Sequence, residues 1–207
     1  MTTPRDLLIV TMDMAPYRSV ERSKLSLALA GAELIDLLAD GIVRLGAERR
    51  IAPVDGEHPS AEPVLAEAAE GLVREPPYEP VDDWLWRRGR GLSSRYLAAL
   101  EKDGQLVRQQ RHHRMPFFRT GRTSLVDSPD RSRAAARWTA DEPVLAALAT
   151  TAGIHDKRTD ESPRVTDDAV ATVLAALDDA CDELSTEAWR RAHRRDDAAV
   201  TNVQRGY

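Results

Sequence analysis

From Arg22 to Gly41 the chain repeats its apolar residues at a period that only a helix can use. Leu27, Gly31, Leu34, Ile35 and Leu38 fall on one side of that helix, and Glu33, Asp36 and Asp40 on the other. The pattern predicts a core-facing stripe backed by a solvated acidic face, with Gly41 as the C-terminal stop. Upstream, DLLIVTMD at 6–13 is too short for periodicity to choose between a strand and a buried helical turn. Downstream, Ile42–Leu45 and Arg49–Ala52 read as a hairpin around Gly46. Ser60 is the expected N-cap of a helix carrying Glu62 and Pro63 in its first turn and Val64, Leu65, Ala68, Ala69 and Leu72 as its stripe. Trp84 and Trp86 then open a new element as core anchors, and a further helix runs from about Ser93 to Asp103, closed by Gly104.

Leu106–Arg111 and Phe117–Leu125 read as a second hairpin with RHHRMP at its tip. Beyond it a helix is expected over Glu142–Thr151, ending at Gly153, and another is capped by Thr166 and passes through Val173, Leu174, Leu177 and Leu184. A last amphipathic stretch carries Trp189, with a frayed tail from Asp196. The fold class is therefore mainly α with small β-hairpins. At 207 residues, without repeats or a long linker, one domain is expected.

Charge narrows the function. The stretch 84–122 holds ten basic residues and two acids, a balance of +8 in a chain whose net charge is −5. Such an island raises the local concentration of anions. Arg87, Arg88, Arg90 and Arg95 crowd its first third, and guanidinium groups grip phosphate with paired donors. Met115, Phe117 and Phe118, flanked by Arg108, Arg111, Arg114, Arg119 and Arg122, make an apolar tip with a basic rim, suited to an anionic bilayer surface. No run approaches the roughly 20 apolar residues of a spanning helix, and the N-terminus does not read as a secretory signal. One cysteine, Cys181, excludes an internal disulfide framework and a multi-cysteine zinc site, so a reducing cytoplasm is expected.

Two other chemistries compete. A helix, a glycine turn and a basic two-stranded wing also describe a winged-helix DNA reader. The helix in question carries Glu101 and Asp103 and is apolar along much of its length, so nucleic acid is not the expected partner. The run Asp178-Asp179-Ala180-Cys181-Asp182-Glu183 is similar to the aspartate-rich motif of prenyl-diphosphate enzymes. On a helix, Asp178 and Asp182 lie one turn apart and could share Mg²⁺, with Asp179 beside them. A second metal-binding motif and an aromatic-lined pocket are lacking, so no catalytic residue is assigned. The main reading needs no cofactor.

The order of pieces resembles the Golgi phosphoprotein 3 family, which has single-domain members in actinobacteria. The carrying segments are LLIVTMD near the start, LALAGAELIDLLADGIVRL at 27–45, PSAEPVLAEAA at 59–69, VDDWLWRR at 81–88 and RYLAALEKDGQLVRQQ at 95–110, followed by the hairpin and a helical last third. The resemblance covers about residues 5–195. It implies a compact helical domain acting as a peripheral membrane adaptor, bound to a phosphoinositide-like headgroup and to the cytoplasmic tails of membrane proteins, at the inner face of the membrane. It also implies a hairpin, here 108–122, that inserts into bilayers and supports homo-oligomerisation. The family's headgroup residues fall near Glu21 and on Ala30, Arg90 and Ser93; of these Arg90 alone keeps the family residue.

Overall fold

The computed structural model describes residues 2–14, 21–56, 62–109, 122–154 and 165–205, with backbone alone at 108–109, 122–123 and 191–205. Eight α-helices and two antiparallel hairpins are described. The central member is α2, Arg22–Ala39, whose residues from Leu25 to Ile35 are all buried. Around it pack α1 (Thr3–Met14), α4 (Val81–Arg88), α5 (Leu92–Lys102), α7 (Pro143–Thr151) and α8 (Asp168–Arg205), joined by α3 (Pro63–Glu70). The ambiguous DLLIVTMD is thus helical, and its apolar residues Leu7, Leu8, Ile9 and Val10 lie in one continuous core with Leu29, Leu34, Trp84 and Leu177.

Burial on all sides changes the α2 reading. Glu33, expected on a solvated face, is 0% exposed, and Asp36 is half-buried, accepting a hydrogen bond from the Thr3 amide at 2.7 Å. A helix surrounded by other helices has no water-facing side, so an acid on it needs a partner. Gly31 lies where α2 meets its neighbours most closely: a Cβ there would sit 3.2 Å from Leu177 Cδ2. Gly41, at φ +69, ends the helix as expected.

The first hairpin pairs β1 (Val43–Leu45) with β2 (Ile51–Pro53), Val43 opposite Pro53 and Leu45 opposite Ile51. Its turn is a short 3-10 segment, Ala47–Arg49, rather than a tight two-residue loop. The N-cap of α3 is Glu62, with Pro63 at the first helical position; Ser60 lies outside the described residues. The second hairpin pairs β3 (Leu106–Gln109) with β4 (Arg122–Leu125), Leu106 opposite Leu125.

Sequence periodicity missed α6, Pro129–Thr139, whose one buried residue is Ala134. Ion pairs hold it instead: Arg131 to Asp13 at 2.9 Å and Arg137 to Asp6 at 2.5 Å, both on α1. Glu142 caps α7 through the amides of Val144 and Leu145. Asp167, not Thr166, accepts the first-turn amide of α8, from Val170 at 2.9 Å. The expected separate last stretch is a continuation of α8, whose backbone runs as one helix to Arg205.

Candidate functional site

The cationic island is largely neutralised by the fold. Arg88 is drawn into the core, where its Nε and a terminal nitrogen donate to the two carboxylate oxygens of Glu33 at 2.6 and 2.9 Å, and to the Val64 carbonyl at 2.6 Å. The Tyr96 hydroxyl donates to the same carboxylate at 3.0 Å. Burial pushes the Glu33 carboxyl up from its ordinary range, against the pull of the Arg88 guanidinium. Arg87 donates twice to Glu79, at 2.6 and 2.7 Å, and lies over the Trp84 ring; the Glu79 bond raises its pKa further. Arg95 is paired with Glu67. Of the four arginines expected to grip an anion, Arg88 is therefore corrected to a core residue, because it is 8% exposed at the side chain and held by Glu33 and the Val64 carbonyl. Arg90 alone is exposed without an acid partner among the described residues.

Arg90 sits in the turn Gly89-Arg90-Gly91 between α4 and α5, on one wall of a cleft of about 340 Å³. The first turn of α2 also lines it, through Arg22 and Ser23. Arg22 is exposed and also has no acid partner among the described residues. Sequence reasoning missed it, since nothing near Arg22 in the chain marks it; the tertiary approach of α2 to residues 89–91 gives it a role. Ser94, Trp86 and Leu184 of α8 complete the rim.

The floor is fixed by close packing. The Ser26 hydroxyl donates to Ser93 Oγ at 2.9 Å and accepts from the Ser93 amide at 3.2 Å, tying α2 to the start of α5. Gly89 permits that approach, because a Cβ there would lie 2.6 Å from the Leu85 carbonyl oxygen and 3.1 Å from Leu27 Cδ2. Gly91, at φ +68, makes the left-handed turn that starts α5. The cleft is thus bordered by two helix N-termini, each the positive end of its dipole, and the first amides of α2 have no intrahelical acceptor. Two arginines, hydroxyls and an indole around such a depression suit an oxyanion carried on a polar group.

The other sequence-derived candidates fall elsewhere. Arg108 and Arg122 are on the β3–β4 strands, while Arg111, Arg114, Met115, Phe117, Phe118 and Arg119 lie outside the described residues. Asp178, Asp179 and Asp182 are on the solvent side of α8, with Asp178 accepting from the Thr151 hydroxyl at 2.6 Å, and none of them lines the cleft. No group of three metal-ligating side chains converges among the described residues. The winged-helix reading meets an α5 that turns Leu92, Tyr96 and Leu100 into the core. Among the described residues no helix is long and apolar enough to cross a membrane.

The class these features define is a helical protein with an arginine-lined cleft between the start of one helix and the turn that opens another. The chain belongs to the Golgi phosphoprotein 3 (GPP34) family, whose model matches residues 4–200. No curated protein sequence matches it. Of the four headgroup positions carried over from the family pattern, Arg90 and Ser93 line the cleft and Glu21 adjoins Arg22 at its edge, whereas Ala30 is fully buried.

Proposed function

We propose that the protein is a peripheral membrane adaptor whose cleft receives the phosphate of an anionic, phosphoinositide-like lipid headgroup. The observation that supports this is that Arg22 and Arg90, which have no acid partner among the described residues, line one hydroxyl-bearing cleft, while Arg87, Arg88 and Arg95 are each held by a carboxylate. Two guanidinium groups hold one phosphate from both sides. Ser23 and Ser94 supply further donors, and the indole of Trp86 offers a face to the rest of the headgroup. The second contact in this proposal is the 108–122 hairpin, with Met115, Phe117 and Phe118 entering the bilayer and the flanking arginines on its surface. Its partners are then anionic lipid at the inner face of the membrane, cytoplasmic tails of membrane proteins, and further copies joined through the hairpin.

Co-sedimentation with vesicles of neutral lipid, of phosphatidylglycerol or cardiolipin, and of phosphoinositide, at two salt concentrations, tests this. Arg22→Gln/Arg90→Gln should weaken binding to anionic vesicles about 30-fold, since each surface arginine contributes about 1 kcal/mol. Phe117→Ser/Phe118→Ser should weaken it independently. Wild-type protein that stays in solution with every vesicle would overturn the proposal.

A further inference from the structure

Two exposed arginines make one site only if something fixes the distance between them. Arg22 opens α2, and Arg90 lies in the turn between α4 and α5. Among the described residues three polar ties join α2 to residues 84–96. Trp84 Nε1 donates to the Ala30 carbonyl at 3.2 Å, Arg88 and Tyr96 donate to Glu33, and Ser26 is bonded to Ser93. At the helical rise, Ala30 and Glu33 lie about 12 and 16 Å along α2 from Arg22, and Ser26 about 6 Å. The serine tie is therefore the one nearest Arg22. On the other side of the cleft Ser93 follows Arg90 by three residues, and between them a Cβ on Gly91 would meet nothing within 4 Å.

The serine pair is closed on itself. Ser26 is 5% and Ser93 3% exposed. Ser26 Oγ donates to Ser93 Oγ at 2.9 Å and accepts from the Ser93 amide at 3.2 Å. The other opening amides of α5 are also taken, Leu92 by the Gly89 carbonyl and Ser94 and Arg95 by the Gly91 carbonyl. Ser26 thus commits its hydroxyl to the neighbouring helix rather than to a ligand. Recognition in the cleft falls to the exposed side chains Arg22, Ser23, Arg90 and Ser94, which are only as well placed as the backbone beneath them.

We propose that Ser26 is a positioning residue, which through Ser93 sets the spacing of Arg22 and Arg90 and so gives the cleft its preference for one phosphate-bearing headgroup over an anionic surface in general. The inference rests on the lipid-headgroup reading above. Attraction to a charged bilayer needs only positive charge, and two arginines supply it at any separation. Closing on a single phosphate needs both guanidinium groups at fixed places, because ordering them at the moment of binding costs entropy that a rigid scaffold has already removed. Loss of the tie therefore lowers discrimination and spares general attraction.

Co-sedimentation with vesicles carrying a phosphorylated inositol lipid, against phosphatidylglycerol vesicles of equal surface charge, tests it with wild type, Ser26→Ala, Ser93→Ala and Val173→Ala. Ser26→Ala should lower the ratio of the two affinities about fivefold, the equivalent of one net hydrogen bond, with phosphatidylglycerol binding within about twofold of wild type. Ser93→Ala keeps the bond from the residue-93 amide to Ser26 and should lower the ratio less. Val173 is buried on α8 and does not line the cleft, so Val173→Ala weakens the fold without touching the tie and should leave the ratio alone. A ratio that Ser26→Ala leaves intact, though Arg22→Gln/Arg90→Gln abolishes it, overturns the positioning role and keeps the headgroup site. A fall of the same size in Val173→Ala assigns the loss to stability and overturns that role too. A wild type with no preference, or one that Arg22→Gln/Arg90→Gln does not disturb, removes the headgroup reading and this inference with it.

Discussion

Replacing Glu33 with Gln removes a negative charge and leaves the Arg88 guanidinium in the core. In the native protein that group is 8% exposed and makes three bonds, two to Glu33 and one to the Val64 carbonyl. Gln offers one acceptor oxygen where Glu33 offers two, and no charge. Breaking a buried ion pair on one side costs about 3–5 kcal/mol. For a chain of this size that is a fall of roughly 6–20 °C in thermal midpoint. The double variant Glu33→Met/Arg88→Met removes both charges. It leaves the Val64 carbonyl and the Tyr96 hydroxyl without their partners, at about 1–3 kcal/mol each, against a gain of about 1–4 kcal/mol from replacing the pair with apolar bulk. Its net change should therefore lie between a gain of about 2 and a loss of about 5 kcal/mol, and the single variants Glu33→Met and Arg88→Met complete the double-mutant cycle that measures the coupling. Urea titration followed by circular dichroism, with an unchanged m-value, measures each step. If Glu33→Gln costs less than about 1 kcal/mol, Arg88 reaches water and the burial argument fails. If the double variant folds but no longer sediments with anionic vesicles that bind wild type, Arg88 belongs to the lipid site after all.

Gly89→Ala should destabilise by about 1–3 kcal/mol, through overpacking against the Leu85 carbonyl and Leu27, and should weaken vesicle binding because Arg90 is carried on the displaced turn. Burial raises the pKa of Asp36, opposed by the Thr3 hydrogen bond, so the native state holds its proton more tightly than the unfolded chain does. Its contribution to stability is therefore present in acid and lost as the pH rises through the raised value. Asp36→Asn should gain on wild type between pH 4 and pH 7 in thermal melts, and a loss over that interval would refute the sign. Cys181 is 5% exposed and its thiol is pushed up to about 11 by burial. A thiol-specific reagent at pH 8 should label it only after denaturant is added, and rapid labelling of the native protein would contradict its placement.

The helices of this fold were legible where one side of an element carried the signal. The stripe from Leu27 to Leu38 and the glycine stops at 41, 104 and 153 are seen as expected. Glu33 was misplaced because α2 is apolar on nearly every side: Ala28, Leu29, Ala30, Ala32 and Leu37 are buried along with the stripe. Periodicity then fixes the helix and not its outward face. The better signal was an isolated acid among those residues, which in a core demands a cation. α6 escaped notice because its hold on the body is electrostatic, through Arg131 and Arg137, and ion pairs leave no period. Counting arginines over 84–122 overstated the free charge of that stretch, since Glu33, Glu67 and Glu79, all outside it in sequence, neutralise three of the four nearest. Arg22 shares the cleft with Arg90 across more than sixty positions of sequence, a meeting only the packed helices create.

Among the described helices, α1 is synthesised before the others and is also the most fully hidden. Every residue of α1 from Thr3 to Thr11 is buried, partly beneath α6 and α7, and two of its acids are held by Arg131 and Arg137. Those covers are made well over a hundred residues later. At about 5–20 residues per second, Leu7, Leu8, Ile9 and Val10 wait roughly six to thirty seconds before all of their native surroundings exist. A nascent chain arrested before Pro129 has α2, α5 and β4 to pack on α1 but lacks α6 and α7, so the side of α1 that those two helices cover stays open to any chaperone within reach.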